Sequence, residues 1–431
     1  MKEAADGTPM NHLRCIECGA TYNVDEVIYQ CRKCNGILEV VMDLETVKKR
    51  ISNNEWRSKP LGVWRYADFL PIKDRVNIVT LNEGGTGLHR CKRLGEKLGL
   101  KNLYVKFEGE NPTGSFKDRG MTVGISKARE LGVNTVVCAS TGNTSASLAA
   151  YAAKAGMQCI VLLPAGKIAL GKLGQAIAHG ARIVQVKGNF DDSLQMVFQL
   201  CQRNKDIYLL NSINPFRIEG QKTLAFEVSE QLGVPPDVML MPVGNAGNIS
   251  AAWKGYNEFE TLGLTKTKPR MIGIQAEGAS PIADAYRGKK QSIKPVGAPE
   301  TVATAIRIGN PVSWRKALNA IYNSDGYADT VTDQEILDAQ RLMAQTEGIF
   351  AEPASSAPIA SLKKLLEQKI IDPSETIVCV ATGHGLKDVD IITRVFGKPI
   401  EVEANIEAIE KFLSLILEYD RLLQQPSAAS Q

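Results

Sequence analysis

The chain has 431 residues, of which 44% are hydrophobic and 23% charged, with a formal net charge of +4. This size supports two or three domains of ordinary globular composition, and the charge is too small for the length to point to nucleic acid or an acidic membrane. No apolar run approaches the ~18 residues of a bilayer span. The opening Met1-Lys2-Glu3-Ala4-Ala5-Asp6 lacks the apolar stretch of a secretory leader.

Residues 12–40 stand apart, with little helical period and two paired cysteines, Cys15-x2-Cys18 and Cys31-x2-Cys34, separated by twelve residues. Four thiolates can surround a zinc ion tetrahedrally, and each CxxC turn supplies two of them. The short spacer leaves room for a two-stranded ribbon. The alternative is a degenerate ribbon that folds without metal. An iron–sulfur or redox role fits less well, because no strand–helix unit follows either pair. The other five cysteines are scattered singly, which suits a reducing cytoplasm better than a disulfide scaffold. Ribbons of this kind also occur in nucleic-acid binders, but no basic run flanks these cysteines.

Leu44 to Tyr66 is a mixed connector. Further on, short apolar runs at Asn134–Ala139, Gln158–Leu163, Arg182–Val186, Ile207–Leu210, Val238–Val243, Met271–Gln275 and Thr376–Val380 alternate with helical patterns such as Thr144–Ala155 and Phe190–Arg203. Strands with little alternation are buried on both faces, and strand–helix alternation implies parallel α/β sheets. Ligands then bind beyond the carboxyl ends of the strands.

Five loops fall at those ends. In Glu110-Asn111-Pro112-Thr113-Gly114-Ser115-Phe116-Lys117-Asp118-Arg119-Gly120 a lysine follows a Pro/Gly turn and opens a helical run, Met121 to Glu130. Desolvation there lowers the amine's pKa and makes it a nucleophile for an aldehyde, of which pyridoxal phosphate is the natural example. Ser140-Thr141-Gly142-Asn143-Thr144 gathers hydroxyls and an amide at a helix start, suited to a carboxylate and, through Asn143, to the phenolic oxygen of such a cofactor. The plain reading of the same residues is helix capping. Asn211-Ser212-Ile213-Asn214-Pro215-Phe216-Arg217 sets donors and a guanidinium after a strand, a grip for phosphate or carboxylate. Gly244-Asn245-Ala246-Gly247-Asn248 follows a strand and precedes a helix over Ser250–Glu260, where backbone N–H groups close on a phosphate. In Thr382-Gly383-His384-Gly385 a hydroxyl can face a pyridine nitrogen and leave it unprotonated. The spacing Ile406-Ile409-Phe412-Leu413-Ile416-Leu423 fits one amphipathic helix for the body or a second subunit, before a frayed tail from Gln424.

Together these motifs, with Thr304-Ala305-Ile306-Arg307-Ile308-Gly309-Asn310-Pro311, resemble in order those of threonine synthase, a pyridoxal-phosphate enzyme of fold type II, over about Leu81 to Arg394. The resemblance implies an α/β fold of two parallel or mixed-sheet domains with the cofactor between them, plus the small zinc ribbon. Its domains would be 55–120 with 213–400 for the large cofactor-binding part, 121–212 for the small substrate part, and 401–431 for the terminal helix and tail. It implies Lys117 as the covalent anchor and proton shuttle, and Asn143 on the ring hydroxyl. Gly244, Asn245, Ala246, Gly247 and Asn248 would take the cofactor phosphate, with Thr382 at the ring nitrogen. Ser140, Thr141 and Thr144 would take the substrate carboxylate or phosphate, and Asn211, Ser212 and Arg217 the substrate phosphate. The implied reaction turns O-phospho-L-homoserine and water into L-threonine and phosphate in a cytoplasmic homodimer. The zinc would be structural, held by Cys15, Cys18, Cys31 and Cys34, with no nucleic-acid or membrane partner. In Glu83-Gly84-Gly85-Thr86-Gly87-Leu88 the family usually has proline where this chain has Gly87, which is expected to loosen that loop. The rival readings are a cysteate synthase, a threonine or serine dehydratase, an inactive protein of the same fold, and a ribbon-based nucleic-acid-binding or regulatory protein.

Overall fold

Val238-Met239-Leu240-Met241-Pro242 is buried at all five positions, so its sheet must be covered on both faces. The computed structural model describes residues 11–166, 170–188, 190–397 and 399–424. The opening six residues and the tail expected beyond Gln424 lie outside these.

The ribbon consists of β1 (His12–Cys15), β2 (Thr21–Asn23) and β3 (Leu38–Val41), antiparallel in the order β2-β1-β3. It has three strands, not two, because the chain after the second cysteine pair returns to pair with β1. β4 (Leu88–Arg90) and β5 (Asn102–Phe107) come next. β6 (Thr135–Ala139), β7 (Gln158–Pro164), β8 (Arg182–Val186) and β9 (Ile207–Leu209) form a four-stranded parallel sheet in the order β8-β7-β6-β9. β10 (Val238–Pro242), β11 (Arg270–Ala276), β12 (Tyr327–Val331) and β13 (Thr376–Ala381) join β5 and β4 in a six-stranded sheet ordered β12-β11-β10-β13-β5-β4, in which only the edge pair β4–β5 is antiparallel.

Eight helices carry the argument below. They are α1 (Lys117–Glu130), α2 (Asn143–Ala155), α3 (Pro215–Gln221), α4 (Thr223–Leu232), α5 (Gly247–Thr261), α6 (Trp314–Asn323), α7 (Pro353–Glu367) and α8 (Ile406–Gln424). The three sheets belong to one compact unit ending at Val389; Asp390 onward forms a second unit that contains α8.

Three strands of the large sheet, β4, β5 and β12, lie outside the apolar runs, two of them because they carry polar residues. β12 includes Asp329 and Thr330, and β5 includes Lys106, whose side chain is fully buried. Lys106 Nζ lies 2.9 Å from Glu227 of α4. Arg119 of α1 forks onto Glu108 at 2.6 and 2.7 Å and onto Glu227 at 2.7 Å through both oxygens. Two cations and two anions are thus neutralised inside the large sheet's cover. Removing one member of such a cluster costs roughly 3–5 kcal/mol because its partner is left charged and dry.

Candidate active site

The turn before Lys117 is fixed by Asp118. Its buried carboxylate accepts from Thr113 N at 2.7 Å, Thr113 Oγ1 at 2.6 Å and Ser147 Oγ at 2.5 Å. Ser115 bridges Gly383, Phe116 N donates to Thr382 O at 3.0 Å, and His384 N donates to Gly114 O at 2.9 Å. The lysine loop and the Thr382 loop are therefore zipped backbone to backbone. α1 starts at Lys117 itself, four residues before the expected Met121.

Lys117 is half-buried, and its Nζ lies 4.1 Å from the centroid of the Phe116 ring. Desolvation, reinforced by the Arg217 guanidinium and opposed by Glu352, lowers its pKa to about 7. The sign of the resulting linkage is definite. Between about pH 7 and the ordinary value of 10.5 the unfolded chain holds a proton that folded Lys117 has lost. The cofactor-free protein should therefore gain stability as pH rises through that window, and Lys117→Met should flatten the rise. Urea melts of both proteins at several pH values check this; equal slopes would refute it.

Arg217 reaches the site because α1 and α3 touch through glycine. A Cβ on Gly220 would fall 1.8 Å from Arg119 O, and one on Gly120 would fall 2.7 Å from Arg217 O. Asn214 caps α3, accepting from Phe216 N at 3.0 Å. The Arg217 side chain is fully buried, and its Nε and Nη1 have no partner. Burial pulls its pKa down to about 10. Asn211 is differently engaged. Its amide accepts from Ala139 N and donates to Ala139 O, both at 2.9 Å, tying the end of β9 to the end of β6. That leaves one N–H for a ligand. Ser212 Oγ accepts from Asn245 Nδ2 at 3.4 Å, linking two of the loops read from the sequence.

The Gly244–Asn248 loop lies close against its neighbours. A Cβ at Gly244 would stand 3.0 Å from Ile306 Cα and 3.1 Å from Ala305 O. Ala246 has φ 64°, a left-handed backbone that alanine rarely adopts and that persists where the surrounding structure over-determines it. α5 starts at Gly247, and its first N–H groups have no intrahelical acceptor. Buried Asn248 Nδ2 and Gln221 Oε1 also lack partners, and a Cβ on Gly247 would stand 3.8 Å from Gln221 Oε1. The free backbone N–H groups and the Asn248 amide at this helix N-terminus, with room left by the two glycines, suit a phosphate ester; Gln221 Oε1 is an acceptor and offers it nothing.

Ser140, Thr141 and Asn143 are half-buried at the start of α2, and Thr144 is buried. Ser140 Oγ accepts from Gly142 N at 3.2 Å, a turn just ahead of the helix, whose cap residue Gly142 makes no side-chain cap bond. Asn143 Nδ2 donates to the Glu352 carboxylate at 3.0 and 3.2 Å. Thr382 is buried, with Oγ1 3.1 Å from Ser355 Oγ in the first turn of α7.

Glu352 and Ser355 were not singled out in the sequence. Glu352 is buried, which raises its pKa against the Asn143 bond, and it lies so near Gly383 that a Cβ there would come 2.6 Å from Oε1. The available signal was Glu-Pro at a helix start. Lys387 was also passed over; it donates to Thr113 O at 2.8 Å, and burial lowers its pKa. At Gly87 the backbone is bonded in a way that proline would forbid. Its N–H bonds Glu110 at 2.5 Å, which proline could not do, and a Cβ there would stand 2.3 Å from His89 Nε2.

In the ribbon, the sulfurs of Cys15, Cys18, Cys31 and Cys34 all lie within 4.8 Å of one another, three pairs at 3.5 Å. Zinc–sulfur bonds of about 2.3 Å in a tetrahedron place sulfurs about 3.8 Å apart, so the cluster fits that ion. Among the described residues it is the one such group of metal-binding side chains found.

Residues 79–383 match the family described as pyridoxal-phosphate dependent enzyme. The chain is 60% identical to a threonine synthase of Methanocaldococcus jannaschii, covering 93% of this chain and 98% of that one. It is 56% identical to a threonine synthase of Methanosarcina acetivorans, with the same two coverages. A solved threonine deaminase from Solanum lycopersicum superposes with a TM-score of 0.62 at 21% identity, covering 79% of this chain and 96% of that one. This last likeness speaks to the fold alone. No helix among the described residues is long and apolar enough to cross a membrane.

Proposed function

The chain belongs to the pyridoxal-phosphate dependent enzymes and, among them, to the threonine synthases, and from that premise we propose that the site around Lys117 converts O-phospho-L-homoserine and water to L-threonine and phosphate. The cofactor, when bound, supplies the electron sink that makes the substrate's α-proton removable. Lys117 would anchor it, Gly244, Asn245, Ala246, Gly247 and Asn248 would hold its phosphate, Asn143 its ring hydroxyl, and Thr382 its ring nitrogen. The Ser355 hydroxyl, 3.1 Å from Thr382 Oγ1, would orient the hydroxyl offered to that nitrogen.

In this reading the Lys117 amine takes the α-proton, then a β-proton. After phosphate leaves Cγ a proton returns to Cγ, which becomes the methyl group. Water adds its hydroxyl at Cβ and gives its proton to the released phosphate, and a last proton returns to Cα. A pKa near neutrality suits both directions of transfer. Arg217, with Ser212 and the remaining Asn211 N–H, grips the phosphate that leaves Cγ, and Ser140, Thr141 and Thr144 orient the substrate carboxylate at the start of α2. The single observation that carries the substrate assignment is Arg217, fully buried with two guanidinium nitrogens unpartnered beside the lysine. Such a cation is costly unless an anion meets it.

The test is turnover of O-phosphohomoserine, of phosphoserine with sulfite, and of free threonine and serine by the same preparation. Consumption of phosphoserine with sulfite but not phosphohomoserine would replace threonine synthase by cysteate synthase. Preference for the free amino acids would indicate a dehydratase.

The lobes proposed are 55–120 with 213–400, carrying the six-stranded sheet, and 121–212, carrying the four-stranded one; 401–431 is the terminal helix and tail. We also propose a cytoplasmic homodimer with no nucleic-acid partner, in keeping with the modest net charge and the single cysteines. Cys15, Cys18, Cys31 and Cys34 bind structural zinc in this reading. Metal analysis should find about one zinc per chain. Cys15→Ser/Cys18→Ser should lose that zinc and some stability yet keep its visible pyridoxal absorption. Full metal loading of the variant would refute the ligand set.

A further inference from the structure

The ribbon gives no side chain to the lysine site, yet it touches the elements that build it. On one side β3 lies against α3, the helix of Arg217. Lys254 of α5 donates to Val40 O at 2.5 Å, and Arg315 of α6 pairs with Glu17 at 2.6 Å. On the other side Asp25 pairs at 2.8 Å with Lys127, in the last turn of the helix that Lys117 opens.

Tyr29 goes further. It is buried in the core of the four-stranded sheet, 5.8 Å from the Tyr208 ring, and its hydroxyl accepts from Leu209 N at 2.8 Å. Leu209 ends the edge strand β9, so without Tyr29 that N–H would have no strand to meet. The Leu209 carbonyl accepts from Asn214 Nδ2 at 2.9 Å, and Asn214 is the cap of the Arg217 helix. Tyr29 stands two residues before Cys31.

We infer that the ribbon is a brace for the Asn211–Arg217 segment, with Tyr29 as its positioning residue. The cysteine cluster fixes Tyr29, Tyr29 fixes the N–H of Leu209, and the Leu209 carbonyl fixes Asn214 and so the entry of Arg217's helix. The inference rests on the assignments of Arg217 to the substrate phosphate and of the cysteines to zinc.

The test uses Tyr29→Phe in the full-length holoenzyme, which keeps the ring and loses the hydroxyl. Zinc content and pyridoxal absorption should be unchanged. Amide exchange over Leu209–Asn214 should quicken while β10, β11 and β13 exchange as in wild type. KM for O-phosphohomoserine should rise about two- to tenfold, the range of one neutral hydrogen bond, with a smaller change in kcat. Removing zinc from wild type with a chelator should quicken exchange over the same residues. Wild-type exchange over Leu209–Asn214 in Tyr29→Phe, or uniform quickening through both sheets, overturns the brace. Quickened exchange with an unchanged KM overturns its link to substrate. Wild type that contains no zinc sinks the metal assignment, and Tyr29→Phe still decides the brace.

Discussion

Lys117→Ala should fold and lose turnover of O-phosphohomoserine. The expected loss is at least ~10²–10⁴-fold, the range of a positioned acid–base group alone, before the covalent anchor is counted. The turn that presents the lysine does not depend on its side chain, since Asp118, Thr113 and Ser147 hold it. Some cofactor should still bind through its phosphate, but weakly and without the covalent link. Borohydride reduction followed by peptide mapping should find a pyridoxyl group on Lys117 in wild type and none in the variant. Lys387 is the control, being another lysine whose charge reaches Glu352. A label on Lys387, or undiminished turnover by Lys117→Ala, would move the chemistry away from Lys117.

Arg217→Ala should lower turnover of O-phosphohomoserine by one to several powers of ten. Charge-assisted hydrogen bonds contribute roughly 1.5–3 kcal/mol each, two guanidinium nitrogens are free to make them, and each power of ten corresponds to about 1.4 kcal/mol. Cofactor binding should survive, because its phosphate is assigned to Gly244–Asn248, and any slow reaction of unphosphorylated serine or threonine should change far less. A second effect follows from charge. Arg217 helps to depress the Lys117 pKa, so without it the amine keeps its proton to higher pH, and the acid limb of the pH–rate profile should move upward. Equal losses on phosphorylated and free substrates would mean that Arg217 holds the carboxylate or the fold instead. An acid limb that stays put would mean that the two charges do not interact.

Much of this site was legible because strand ends and glycine turns are written locally. β6, β7, β8 and β10 differ from the apolar runs by no more than a residue or two, and every loop singled out follows a strand. What was not legible depends on partners far along the chain. Lys106 breaks the apolar pattern of β5 until Glu227, 121 residues later, neutralises it. Glu352 gains meaning only from Asn143, 209 residues away, and Tyr29 only from Leu209, 180 residues away. Asn211 was read as a ligand donor from its position alone, whereas most of its amide joins two strands. β8 was read as buried, yet as an edge strand it is exposed or half-exposed at all five positions.

The buried cluster of Lys106, Glu108, Arg119 and Glu227 also constrains the order of events on the ribosome. Arg119 leaves the tunnel 108 residues ahead of Glu227, an interval of roughly 5–20 s at ~5–20 residues per second. During it Lys106 and Arg119 share one carboxylate and must stay hydrated, so the segment that presents Lys117 cannot take its final shape until the chain beyond 121–212 has emerged. Nascent chains arrested before residue 227 should therefore leave the 106–119 segment open to protease, and chains released at full length should resist cleavage there.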